Sequence, residues 1–219
     1  MGDRLLNAAT IVITVCAVIV VALLVRREFF VDPSPPDPTR GPAIVEDWQR
    51  LLNADRREGP SAARMAVVEF VDYQCPFCLQ AERRIDQLRE RYRDDLAVSY
   101  RHLPLPIHAH AFDAAVASEC AGEQSRFLAF HDALFDNQKA IGVEPWIEFA
   151  KRAGVSDHTL FLACLEEDAP RARVEADVAL AQSVGVTGTP AFVVEGLLLE
   201  GVCPVLIRSR SPWEESTGN

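Results

Sequence analysis

Two cysteines two residues apart, Cys75 and Cys78 in "VEFVDYQCPFCLQAE", are the residues whose types and spacing most directly offer chemistry. A pair at this spacing can hold a metal, close a structural disulfide or exchange electrons as a dithiol. The flanking residues narrow the choice. Arg64 to Val71, "RMAVVEFV", is β-branched and apolar and predicts a buried strand. Leu79 to Arg93 places Leu79, Ile85, Leu88 and Tyr92 at helical spacing, with charges between them. The pair therefore sits where a strand ends and a helix begins. There, free backbone amides and the positive end of the helix dipole favour a thiolate.

The rest of the chain must position that turn. It has 219 residues, 49% of them hydrophobic, and a formal net charge of −10, which argues against a nucleic-acid surface. Its arginine runs are interleaved with Glu and Asp, as on a solvated helix face. Leu5 to Val25 carries no charge, and as a helix it would be roughly 31 Å long, enough to cross a hydrocarbon core of about 30 Å. No small-residue cleavage site follows it, so residues 1–27 read as an uncleaved membrane anchor. Arg4 on one side and Arg26-Arg27 on the other leave its orientation balanced by charge. Residues 28–42 are proline-rich and predict an extended spacer.

Residues 43–63 read as a lead-in segment whose first part, 43–55, is an amphipathic helix ended by Gly59-Pro60. The strand, the cysteine turn and the long helix follow. A second strand at Leu96 to Arg101 completes a βαβ unit with parallel strands. From His108 to about Asp168 the pattern is continuously helical, punctuated by Gly122, Gly142 and Gly154. Pro145 suits a helix start, and Ser156 or Asp157 a cap. A further helix at Pro170 to Val184 leads to "GVTGTP" and two short strands, 191–195 and 197–200, joined as a hairpin. The expected fold is α/β, a mixed sheet interrupted by an all-helical insertion and preceded by a transmembrane helix.

"VEFVDYQCPFC", a helical insertion beginning about thirty residues after the second cysteine, and "GVTGTPAFVVEG" before a terminal hairpin occur in that order. Together they resemble the DsbA-like branch of the thioredoxin-fold thiol–disulfide oxidoreductases, in particular its membrane-anchored bacterial members, over roughly residues 60–202. The domain of that kind would span 64–219, with the insertion at about 108–168.

The resemblance implies roles. Cys75 would be the attacking sulfur of a redox-active disulfide and Cys78 the buried resolving thiol. Pro190 would follow a cis peptide bond, leaving the Thr189 backbone free to pair with a substrate strand. Glu69, six residues before Cys75, stands where the family often keeps a buried acid able to shuttle the Cys78 proton. Its alternation with Val68 and Phe70 fits a solvent-facing strand position equally well. Cys120 and Cys164 fall on two insertion helices, and similar pairs in related oxidoreductases, with the five cysteines outside the span pairing to leave one over, imply a structural disulfide, two buried free thiols being the alternative. Cys16 lies in the span, and Cys203 is left over.

The expected activity is donation of the Cys75–Cys78 disulfide to reduced or unfolded exported proteins. A single-pass anchor would hold the monomeric domain on the extracytoplasmic, periplasmic side, and a membrane redox partner would recycle it. No cofactor, metal or nucleic acid is expected. Two features depart from the family. Phe77 supplies neither charge nor donor to the Cys75 thiolate, which predicts a less oxidising pair than the Pro-His members. After Gly201 the usual long amphipathic helix is replaced by "VCPVLIRSRSPWEESTGN".

Rival readings are a tethered reductase or isomerase, a zinc site completed by His102, His108 or His110, and a non-catalytic thioredoxin-like binding module. His131, among Phe127, Phe130, Leu134 and Phe135, reads as a packed helix residue.

Overall fold

The structure, a computed structural model, describes residues 43–201. The expected membrane span and linker, Cys16, Cys203 and the tail from 202 to 219 lie outside the described residues. Among the described residues no helix is long and apolar enough to cross a membrane.

One six-stranded mixed sheet organises the chain. Its strands are β1 (Ala43–Ile44), β2 (Arg57–Glu58), β3 (Met65–Val71), β4 (Leu96–His102), β5 (Ala191–Val194) and β6 (Leu197–Glu200), in the order β1-β6-β5-β3-β4-β2. β3 runs parallel to β4, with Glu69 opposite Tyr100, and antiparallel to β5, with Glu69 opposite Phe192. Both faces of β3 are covered. Val67 and Val71 pack into the larger core with the helices, while Val68 and Phe70 pack with Leu51, Leu103 and Leu198 on the other face. That two-sided burial explains why its sequence reads as a run of apolar residues without alternation.

The βαβ crossover is α1 (Pro76–Arg91). Proline in its first turn has no amide to lose there and sets the helical φ. Its buried stripe is Cys78, Ala81, Glu82 and Ile85, the spacing of a single helix face.

The insertion consists of α2 (Ala111–Gly122), α3 (Phe127–Asp136), α4 (Trp146–Arg152) and α5 (His158–Cys164), and α6 (Asp168–Ser183) returns the chain to the sheet. α2 is rich in alanine and buried over most of its length, so neighbouring helices approach it closely. Asp157 caps α5, its side chain accepting from the Leu160 amide at 2.9 Å. Cys120 of α2 and Cys164 of α5 are joined by a disulfide. The β5–β6 turn places both Glu195 (φ 49°) and Gly196 (φ 90°) in the left-handed region, as a tight two-residue hairpin requires.

The reading of 43–55 as an amphipathic helix is corrected. Ala43 pairs with Leu198 in an antiparallel β1–β6 contact, and only Trp48–Leu51 form a single 3₁₀ turn. Val45 and Leu51 bury against the sheet's second face. Backbone pairing and that burial override a local periodicity too short to sustain a helix. β2, two residues long, had no sequence signal of its own.

Behind the lead-in lies a buried ionic cluster. Arg56, 5% exposed, pairs with Glu119 of α2 at 2.7 Å and with Asp177 of α6. Arg101 reaches Asp177 at 2.8 Å, and His102 Nε2 lies 2.9 Å from Glu119. Burial opposes ionisation of Glu119, yet the His102 contact and the two arginines Arg56 and Arg173 hold its carboxyl down at about 2.

Candidate functional site

The loop before α1 is tied down by side chains from distant segments. Asp72, 1% exposed, accepts from the amides of Gln74 and Leu105 and contacts His108 Nδ1, each at 2.7 Å. Gln138, after α3, donates to the carbonyls of Tyr73 and Cys75, both at 2.9 Å. These bonds fix Cys75 as the residue capping α1, with its amide on the Asp72 carbonyl at 3.0 Å. Cys75 and Cys78 are both free thiols here and both buried.

The two sulfurs are set apart electrically. A hydrogen bond from the Cys78 thiol, backbone amides of the first turn and the Thr189 hydroxyl favour the Cys75 thiolate and hold its pKa down at about 5 against an ordinary 9.0. Burial pushes Cys78 strongly upward, and the Cys75 thiolate accepting its proton adds to this. At neutral pH the pair is one thiolate and one thiol.

Across from the pair, the Thr189–Pro190 peptide bond is cis, and Cys75 Sγ lies 3.5 Å from the Thr189 carbonyl oxygen. Thr189 Oγ1 is buried with no hydrogen-bond partner among the described residues.

Glu69 is fully buried, on the α1 side of the sheet beside Tyr100, and so is not a solvent-facing strand residue. Neither carboxyl oxygen has a hydrogen-bond partner among the described residues. Burial first, then the charges of Glu82 and Asp86, push its pKa well above 4.5.

The sequence reading missed the residues around it. Glu82, one turn beyond Cys78, accepts from Tyr100 Oη at 3.1 Å and lies 3.3 Å from His131 Nε2. His131 Nδ1 lies 3.2 Å from Tyr73 Oη, and its ring centroid is 4.1 Å from that of Tyr100. The available signal was the four-residue step from Cys78 to Glu82, which puts an acid on the buried face.

The histidines proposed as zinc ligands are dispersed. His102 faces Glu119, His108 faces Asp72, and His110 precedes α2, its ring beside Gly142. Among the described residues no group of three or more His, Cys, Asp or Glu side chains could hold a metal ion.

A mixed sheet carrying a thiolate–thiol pair at the start of its crossover helix, with a cis-proline segment against it, defines a thioredoxin-fold dithiol site. A family model described as "Thioredoxin" matches residues 52–202, and the chain belongs to that family. Among solved structures it is similar to a thioredoxin-like oxidoreductase from Silicibacter pomeroyi DSS-3, with a TM-score of 0.60 and 28% identity over 71% of this chain and 90% of that one. Pseudomonas aeruginosa DsbA2 matches with a TM-score of 0.56 and 26% identity over 68% and 86% of the two chains. Its structural neighbours are thus DsbA-type oxidoreductases. A curated relative named as a Na(+)/H(+) antiporter NhaA, from Herminiimonas arsenicoxydans, is 40% identical over 147 residues, 67% of this chain and 23% of that protein. The chain spans only about a quarter of that relative's length, and the antiporter name belongs to the whole of it.

Proposed function

We propose that this protein is an extracytoplasmic thiol–disulfide oxidoreductase that donates its Cys75–Cys78 disulfide to reduced exported proteins. The observation that carries this reading is Cys75 at the start of α1, its sulfur 3.5 Å from the carbonyl oxygen of Thr189 in the cis Thr189–Pro190 segment. A substrate thiolate attacks Cys75 Sγ of the disulfide, forming a mixed disulfide. Cys78 departs with the electron pair and takes the proton held on Glu69. A second substrate thiol loses its proton to solvent and attacks the substrate sulfur joined to Cys75, which leaves as a thiolate. Two electrons pass from the substrate dithiol to the protein pair. Because Cys75 is a stabilised leaving group, the reduced protein is favoured and the flow runs towards donation.

The surroundings of Cys75 suit an unfolded chain. Phe77, Ile107 and Val143 are 63%, 81% and 80% exposed. Their loops meet at the cysteine turn through the Asp72–His108 contact, the bond from the His110 amide to Gln74, and the packing of Gly142 on the His110 ring. Thr189 and Pro190 would present backbone to the substrate strand. The uncharged stretch at residues 5–25 supports a membrane-anchored enzyme recycled by a membrane partner.

Equilibrating the full-length protein with glutathione buffers and counting alkylated Cys75 and Cys78 by mass tests this directly. A potential well above the glutathione couple is expected. A value at the thioredoxin end of the scale would turn the assignment into a tethered reductase.

A further inference from the structure

The loop ahead of the cis peptide bond is held by something other than packing. Val186 is buried, and its amide bonds the Ala181 carbonyl at 3.0 Å. Beyond it the chain has little to lean on. Thr187 is exposed, and nothing lies within 4 Å of where a Cβ would stand on Gly185 or Gly188. The contacts come instead from the end of β6. Glu200 Oε1 accepts from the Thr187 amide at 2.6 Å, the Thr187 hydroxyl at 3.1 Å and the Gly188 amide at 3.3 Å, and its Oε2 lies 3.3 Å from the same hydroxyl. The next residue, Gly201, donates its amide to the Pro190 carbonyl at 2.8 Å. The chain on both sides of Thr189 therefore hangs on two consecutive residues, Glu200 and Gly201.

We propose that Glu200 is a positioning residue for client binding, its carboxylate gathering the Thr187 and Gly188 amides and so fixing the Thr189 backbone where an extended client chain would pair with it. This rests on the disulfide-exchange reading above. Two successive amides turned toward one anionic oxygen form a small nest, and a carboxylate holds such a nest more firmly than a neutral acceptor does. These contacts fall on the loop and not on the sulfurs. Glu200 thus acts on where a client lies and leaves the thiol chemistry to Cys75 and Cys78.

The consequence is a division between reductants that carry a peptide backbone and those that do not. A peptide strand laid on Thr189 needs that residue already in place, and ordering the loop at the moment of binding would weaken the complex. Dithiothreitol has two thiols and no amide, so it reaches Cys75 without using the Thr189 backbone. With either reductant two thiols become a disulfide and the Cys75–Cys78 bond is broken, so two electrons and two protons change hands. Loss of Glu200 removes binding for the peptide alone, the signature of an interaction made equally in the bound and the reacting states.

The test uses the full-length protein in a C16A/C203S background, oxidised at Cys75–Cys78. It is mixed with an excess of a short unstructured peptide carrying two reduced cysteines, or with an excess of dithiothreitol. Acid quenching and alkylation at successive times give the rate against reductant concentration. In E200A the peptide concentration for half-maximal rate is expected to rise about tenfold. The limiting rate and the dithiothreitol rate are expected to stay at the parent's values. E200Q, which keeps an oxygen for the two amides, is expected to restore most of the peptide binding. E200D, which keeps the charge but draws it back by one methylene, is expected to behave like E200A. An unchanged half-maximal concentration in E200A overturns the inference. So does an equal loss with peptide and dithiothreitol, which would place the effect on the cysteines or the fold. If E200A does not fold, E200D and E200Q carry the same test, and equal peptide binding by the two overturns it. Failure of the exchange reading looks different, with the parent protein leaving the peptide reduced at every concentration.

Discussion

Cys75 Sγ and the Thr189 carbonyl oxygen stand 3.5 Å apart, although 114 positions separate them in sequence. A strand that paired with the Thr189 backbone, as proposed above, would thereby be brought alongside the Cys75 sulfur. The Thr189 hydroxyl has no hydrogen-bond partner among the described residues and is among the groups that favour the Cys75 thiolate. In the thiolate state it can turn its proton to the sulfur. T189V should therefore raise the Cys75 pKa from about 5, by about one unit for the loss of one donor. Thiolate absorbance at 240 nm against pH reads the shift, and an unchanged midpoint would remove the hydroxyl from the site.

The paired sulfurs should titrate as one group in the accessible range. Iodoacetamide at pH 7 should label Cys75 and leave Cys78 unmodified, with the rate rising through a midpoint near 5. Because the folded pKa of Cys75 lies below its ordinary 9.0, its contribution to stability is full above 9.0 and lost as pH falls through about 5. The reduced protein should gain stability over the oxidised one across that window. Denaturation of both forms at a series of pH values measures it, and parallel curves would contradict it.

Glu69 has the opposite sign. Its folded pKa is raised above 4.5, so the native state is most stable with the proton bound and loses stability as pH rises through the folded value. E69Q should be more stable than the parent at pH 8, with the advantage vanishing near pH 4. A buried carboxyl with both oxygens unpartnered costs about 1–3 kcal/mol, which is the expected size of the gain in E69L. The same variants should accumulate the mixed disulfide at Cys75 by slowing its resolution. Urea melts and trapped-intermediate yields read the two effects separately.

The disulfide between Cys120 and Cys164 closes a loop of sequence separation 44, for which chain entropy predicts about 4 kcal/mol. A C120A/C164A double variant should lose stability of that order while the Cys75 pKa stays in place. A lowered midpoint with unchanged thiolate titration would separate scaffold from site.

Arg56 offers a sharper stability test. Its removal leaves Glu119 and Asp177 buried with less cationic company. R56A should cost about 3–5 kcal/mol, and R56M nearly as much. A mild effect would mean that Arg101, Arg173 and His102 suffice to hold the two acids.

What could be read before the structure followed from local chemistry. The cysteine turn, the helices of the insertion and the hairpin are marked by prolines, glycines and periodicity that act within a few residues. Glu69 could not be placed because β3 is buried on both faces, which erases the alternation that would have oriented it. Residues 43–55 were misread because what they pack on, Leu198 and Phe70, is supplied from elsewhere in the chain. Tyr100 and His131 look like ordinary core and helix residues until β4 and α3 bring them to Glu82. The polar contacts under the site are tertiary, and nothing in their own segments announces them.

Among the described residues, β1 and β2, the two outermost strands, are each two residues long. A protein acting on unfolded chains, as proposed above, would meet extended peptides rich in unsatisfied amides, the species that add themselves to any long open sheet rim. Among the described residues each rim ends in a two-residue stub, too brief to template such growth. On the exchange reading proposed above, clients would instead engage the backbone at Thr189, where binding would end in thiol exchange and not in polymerisation.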